Sequence, residues 1–206
     1  VTMRKTTLAT AASALALVLA ACGGGDREQT GEGAARETPQ KASADAGNAA
    51  EPFGPGCSDF PGGGEGSLGE MSGQPFAAAI ADSPVLGNLS EALERAGLSE
   101  ELDAAEELTV FAPTDDAFDM YPDGEMDDIL GNPEGLAYVL NQHVVEGRVP
   151  AEELDEGVFD SRNGGLLRAT ASDGEYTVNG YAPVVCGDVR TANATVHVVG
   201  MLLLPS

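Results

Sequence analysis

The sequence predicts one α+β domain over residues 75–206, a helical first half followed by a β second half. Three observations carry this reading. Apolar residues recur at helical spacing from Ser83 to Gly97 and again after Pro133. From Val158 onward the pattern changes to short strands, punctuated by Asp173-Gly174 and Asn179-Gly180. Between the two regimes, Leu108 to Phe118 reads as a buried strand feeding straight into a short helix. The run Thr109-Val110-Phe111-Ala112 stops at Pro113, which cannot continue a ladder. Thr114 then stands at an N-cap, Asp115 and Asp116 occupy the first turn, and Phe118 points inward.

Each element has its own signal. Regular structure is expected from about Pro75. Ser83-Pro84 offers an N-cap followed by Pro at the first helical position, and Val85, Leu86, Leu89, Leu93 and Ala96 form the apolar stripe up to Gly97. A short helix is expected around Met126 to Leu130. Pro133 opens a longer one in which Leu136, Val139, Leu140 and His143 stand at i, i+3, i+4 and i+7. Strands are expected over Val158–Ser161, Leu166–Ala171, Tyr176–Asn179, Val184–Asn193 and Thr195–Leu204. No internal repeat is visible.

The front of the chain predicts export. Arg4 and Lys5 precede the apolar stretch Leu8 to Ala21, the pattern of a secretory signal peptide over residues 1–21. So short a stretch cannot span about 30 Å of hydrocarbon as a helix. Leu19-Ala20-Ala21-Cys22 looks like a bacterial lipobox, implying cleavage before Cys22 and diacylation of its thiol. Residues 22–56 then read as the lipidated Cys and a disordered tether, rich in Gly, Ala, Ser, Thr, Glu and Gln. Such a tether holds a domain about 30 Å from the membrane on average. A Gly-rich lead-in, 57–74, precedes the domain.

Three cysteines minus Cys22 leave Cys57 and Cys186, an even pair in an oxidising compartment, and a disulfide between them is expected. The alternative is two buried thiols. Removing Arg4 and Lys5 with the leader leaves eight basic residues against 34 acidic ones, so the net charge of −24 becomes −26. Such a surface repels phosphate backbones and argues against nucleic-acid binding. Solubility, or adaptation to a saline or high-GC host, explains the acidity more cheaply than a specific cationic partner.

Catalytic and metal motifs are weak. Gly64, Gly66 and Gly69 spell G-x-G-x-x-G, but the motif needs a strand before it and a helix opening at its end. The two histidines, His143 and His197, sit in apolar settings that favour buried, hydrogen-bonded rings. H-E-x-x-H and G-x-S-x-G are absent, so no enzymatic activity, cofactor or resident metal is expected. The alternative left open is a three-ligand metal site using both histidines with Asp115 or Asp116, which nothing in the spacing demands. An EF-hand frame starting at Asp119 fails, because position 3 is Tyr121 and position 12 is Leu130. Asn88-Leu89-Ser90 and Asn193-Ala194-Thr195 match glycosylation sequons.

Three segments together resemble the fasciclin family of extracellular adhesion modules. Thr109-Val110-Phe111-Ala112-Pro113-Thr114-Asp115 with Phe118 is similar to its first signature box. His143 to Val149 resembles its central segment, where a helix end passes into a strand, and Thr195 to Pro205, containing His197, resembles its C-terminal box. Secreted surface lipoproteins of mycobacterial type are especially similar. The resemblance implies a β-wedge of about seven strands with helices packed beside it. It further implies a surface protein anchored in the membrane by its lipid, mediating adhesion or binding of a surface protein or glycan. The alternative is a module for a small, lipid-like apolar ligand held between helices and wedge. Two departures weaken an animal-type receptor contact: Gln142 replaces the Tyr common before the central His, and Gly200 replaces a usual acidic residue.

Overall fold

The computed structural model describes residues 51–121 and 131–205. The leader, Cys22, most of the tether, Pro122-Asp123-Gly124 and the helix expected around Met126–Leu130 lie outside the described residues. A 3-10 turn, Pro55–Asp59, is followed by helices α1 (Leu68–Met71), α2 (Phe76–Ala81), α3 (Gly87–Ala96) and α4 (Ser99–Ala104). Strand β1 (Leu108–Pro113) leads into α5 (Asp115–Asp119), then α6 (Pro133–Gln142) and β2 (Val144–Glu146). After a 3-10 turn, Ala151–Leu154, come β3 (Val158–Asp160), β4 (Leu166–Ser172), β5 (Glu175–Val178), β6 (Ala182–Arg190) and β7 (Ala194–Val199). Among the described residues no helix is long and apolar enough to cross a membrane.

The strands form one seven-stranded sheet in the order β2-β1-β7-β6-β5-β4-β3. Only β1 and β7 run parallel among these pairs, with Leu108 opposite Ala194 and Phe111 opposite His197. A bridge between Val145 and Ser161, with the Arg162 N–H donating to the Val144 carbonyl at 2.8 Å, joins the two edge strands. The sheet therefore curls almost into a barrel, which answers the edge-strand problem for β2 and β3.

Two-residue periodicity divides β1 and β7 between two cores. Leu108, Val110, Ala112, Ala194, Val196 and Val198 face the helices, where Ile80, Leu89, Leu93, Leu102, Leu136 and Leu140 meet them. Phe111 and Val199 face the barrel interior, with Val145, Leu154, Leu167, Val178 and Leu203. Packed side chains fill the helix–sheet interface; burying each Leu contributes about 2 kcal/mol.

Several boundaries differ from the sequence reading. Regular structure starts before Pro75, with the Pro55–Asp59 turn and with α1, capped by Ser67 Oγ accepting from the Glu70 N–H. Helix α4 had no distinct signal. Helix α3 begins at Gly87, not behind Ser83. The Val85 carbonyl instead accepts the Asp115 N–H at 3.0 Å, and the Asp115 carboxylate accepts the Asn88 N–H at 2.7 Å. A cap supplied from α5 thus sets where α3 starts. Strand β7 ends at Val199, short of Leu204, because the Gly200 N–H turns to the Pro183 carbonyl and the Leu203 N–H to His143. Strand β6 stops at Arg190 after irregular pairing between Val184 and Val189. Other signals hold: Asn132 caps α6 behind Pro133, Gly97 ends α3 at φ +69°, and both expected tight turns have two consecutive residues at positive φ.

Candidate functional site

The strand-to-helix turn is braced from several directions. Thr114 Oγ1 accepts from the Ala117 N–H at 3.2 Å, and the Thr114 N–H donates to the Val199 carbonyl at 3.1 Å. Phe118 turns into the helix-side core. Inside the barrel, Thr109 Oγ1 donates to the Gly147 carbonyl and accepts from the Val149 N–H, both at 2.7 Å. Thr109 therefore fixes the chain that leaves β2.

The two histidines are buried struts in opposite tautomers. His143 Nδ1–H donates to the Val139 carbonyl at 2.9 Å, while Nε2 accepts from the Leu203 N–H at 2.9 Å. His197 Nε2–H donates to the Val149 carbonyl at 3.1 Å, and Nδ1 accepts from the Asp188 N–H at 3.2 Å. The tautomers follow from what each nitrogen faces. Burial lowers both pKa values to about 4. With both nitrogens engaged, neither ring offers a lone pair to a metal or a proton to a substrate. Among the described residues no group of three His, Cys, Asp or Glu side chains is placed to hold a metal ion.

The lead-in is welded to the bulged part of β6. Cys57 and Cys186 form a disulfide, and Phe53 and Gly187 exchange two backbone hydrogen bonds of 3.1 and 2.7 Å. A Cβ on Gly187 would stand 2.1 Å from the Phe53 ring and push it aside. Gly66 of the G-x-G-x-x-G stretch has a comparable steric duty, since its Cβ would lie 2.3 Å from the Asp82 carbonyl oxygen. Helix α1 does open at the end of this motif, with Gly69 in its first turn, yet among the described residues no strand leads into it.

Between lead-in and signature turn runs a groove. A depression of about 290 Å³ is lined by Gly56, Asp59, Phe60, Val85, Thr114 and Asp116, with Val185 and Val198 in its wall. It adjoins a second of about 460 Å³ that shares Gly56, Asp59, Thr114, Asp116 and Val185 and reaches Met120 and Pro183. Asp59 and Asp116 are exposed, and neither carboxylate has a hydrogen-bond or ion-pair partner among the described residues.

Other sequence candidates are structural. Gln142 is buried beneath the loop Ser161–Gly165, whose Gly165 backbone rests on its amide. That loop is itself braced, with Asn163 Nδ2 donating to the Tyr138 carbonyl at 3.1 Å. Asn193 was missed as a clasp: Oδ1 accepts from the Phe76 N–H at 2.9 Å, and Nδ2 donates to the carbonyls of Leu102 at 2.7 Å and Ala105 at 3.0 Å. Its amide is thus committed, closing that sequon to a glycan. Asp188 was also missed. It is fully buried at φ +57°, 3.0 Å from Arg190 Nη2 but poorly aligned with it. Burial raises its carboxyl pKa against the opposing pull of Arg190. Arg190 Nε and Thr195 Oγ1, at paired positions of β6 and β7, are likewise buried without hydrogen bonds.

Comparison with known proteins decides the family. The fasciclin domain family model matches residues 84–205. This chain belongs to the fasciclin family. It is 33% identical over 165 residues to the cell surface glycolipoprotein MPB83 of Mycobacterium bovis, covering 76% of this chain and 74% of that one. The immunogenic protein MPB70 of the same species is 35% identical over 161 residues, covering 74% and 81%. Protein sll1483 of Synechocystis is 34% identical over 136 residues, covering 65% and 75%. Among solved structures, a FAS1 domain pair from the insect cell adhesion molecule Fasciclin I superposes with a TM-score of 0.51 at 20% identity. That match covers 58% of this chain and 45% of the insect one, and shows the fasciclin fold. The seven-stranded near-barrel flanked by helices is that fold.

Proposed function

We propose that this fasciclin protein is exported, anchored by a lipid on Cys22 to the outer face of the cell membrane, and makes adhesive or binding contacts with surface proteins or glycans. The supporting observation is its likeness, over three quarters of both chains, to relatives described as cell surface glycolipoproteins. The leader-and-lipobox pattern before Cys22 agrees with that display. Struts, braced turns and a preformed groove suit a rigid scaffold that presents surface to a partner. The apolar-ligand reading has less support, because among the described residues buried side chains of helices and sheet pack against one another at the interface where such a ligand would sit.

The test is attachment. Cells lacking the gene lose adherence to their substratum or to one another, and purified full-length chain carrying Cys22→Ser competes with wild-type cells for the same surface. Unchanged attachment, with no competition, would reject the reading.

A further inference from the structure

We infer that the groove between the lead-in and the signature turn is the docking face, and that it takes a protein segment presenting an aliphatic side chain beside lysine or arginine. This rests on the surface-binding reading and narrows it to one site and one chemistry. The groove combines two features. Pro84 and the half-buried Val85 and Val185 give it apolar surface, over the buried Phe60 and Val198. Asp59 on the Pro55–Asp59 turn and Asp116 on α5 supply carboxylates from two different elements, both lining both depressions.

Charge complementarity selects the occupant. After Lys41 the only cationic side chains are Arg95, Arg148, Arg162, Arg168 and Arg190, and none of them lines the groove. Asp115, beside Asp116, is already spent on capping α3, whereas Asp59 and Asp116 have no such duty. Two unpaired carboxylates bordering an apolar floor repel anionic headgroups and sialylated or sulfated glycans, and favour a cation close to an apolar anchor. An aliphatic side chain fits a depression of about 290 Å³, and a flanking cation reaches either acid.

The groove is also preformed, which lowers the ordering cost of binding. The disulfide fixes one wall to β6, and Phe60 is buried in the helix-side core. Gly56 lies flat on Val185, where a Cβ would stand 3.0 Å from the valine Cβ. The opposite wall is held by the hydrogen bonds of Thr114 to Val199 and of Asp115 to Val85.

The experiment is an amide NMR titration of the full-length chain carrying Cys22→Ser, using an end-blocked lysine–leucine–lysine peptide and a glutamate–leucine–glutamate control. Saturable shifts at Gly56, Asp59, Thr114, Asp116 and Val185 with the lysine peptide only are expected. Asp59→Asn with Asp116→Asn should weaken that binding by up to about fivefold per carboxylate, with the amide spectrum still that of the folded chain. Shifts centred elsewhere, equal shifts from the control, or binding indifferent to the double substitution overturn the proposal. So does movement of these same amides with chain concentration in the absence of peptide, which would make the occupant a second copy of the chain. If the double variant still competes fully in the attachment assay, the docking site is wrong while the adhesion reading stands. If wild-type chain does not compete either, both fall.

Discussion

The two faces of the β1–β7 pair do different work with the same two strands. Toward the helices the pair presents Leu108, Val110 and Ala112 beside Ala194, Val196 and Val198, all apolar and all buried. Toward the barrel it presents Thr109 and Phe111 beside Thr195, His197 and Val199. The helix face stabilises through area removed from water, which any apolar residue of suitable volume supplies. The barrel face uses named hydrogen bonds to hold the chain that leaves β2: Thr109 grips Gly147 and Val149, and His197 grips the Val149 carbonyl. Burial is interchangeable chemistry, whereas these struts depend on particular atoms and protonation states.

Acid should separate the two faces most strongly. His143 and His197 have folded pKa values of about 4 against an ordinary 6.5, so the folded state excludes protons that the unfolded chain binds. Stability is complete above pH of about 6.5 and falls as pH drops toward about 4, by about 3 kcal/mol per histidine. Urea unfolding at pH 7 and pH 4.5 measures this, and His197→Gln should remove roughly half of the loss. A flat profile would mean that the rings are not held neutral.

Reduction of Cys57–Cys186 comes next. It opens a link across 129 residues and should cost about 2–5 kcal/mol in denaturant midpoints taken with and without reductant. The loss should include the lead-in wall of the groove, visible as faster amide exchange at Gly56 and Asp59.

The sharpest internal contrast lies in two threonines that face each other across the parallel pair. Thr109→Val strands the Val149 N–H and should cost about 2 kcal/mol. Thr195→Val removes a hydroxyl that has no partner and should leave stability unchanged or raise it by less than about 1 kcal/mol. Equal losses in calorimetry would dissolve the distinction between strut and bystander.

What could be read from the sequence followed the same division. Period-2 and period-3.6 burial were visible, so β1, α6, the Asp173-Gly174 and Asn179-Gly180 turns and the approximate strands β3 to β7 were legible. The C-terminal strand was overextended because Met201-Leu202-Leu203-Leu204 is as apolar as a strand, and only the long-range bond from His143 to Leu203 reveals why the chain leaves the ladder. The start of α3 was misplaced for a related reason, since its cap comes from Asp115 in α5. Asn193 read as the last residue of a strand and the head of a sequon, although its amide clasps Phe76 and Leu102. The groove was invisible too, because it forms only once Asp59 and Asp116 are folded onto β6 and β7. Local chemistry reveals elements; partners more than about a turn away do not register in a short window.

Display of this fasciclin domain outside the cell by a lipid at Cys22 is the proposal on which the surface-contact role rests. The direct measurement is intact mass spectrometry of the protein extracted from its own host membrane. The predicted result is a chain beginning at Cys22, heavier by a diacylglyceryl group and lighter by the two hydrogen atoms lost on oxidation to the Cys57–Cys186 disulfide. A chain that retains Arg4 and Lys5, or one recovered unlipidated from the cell interior, would contradict it.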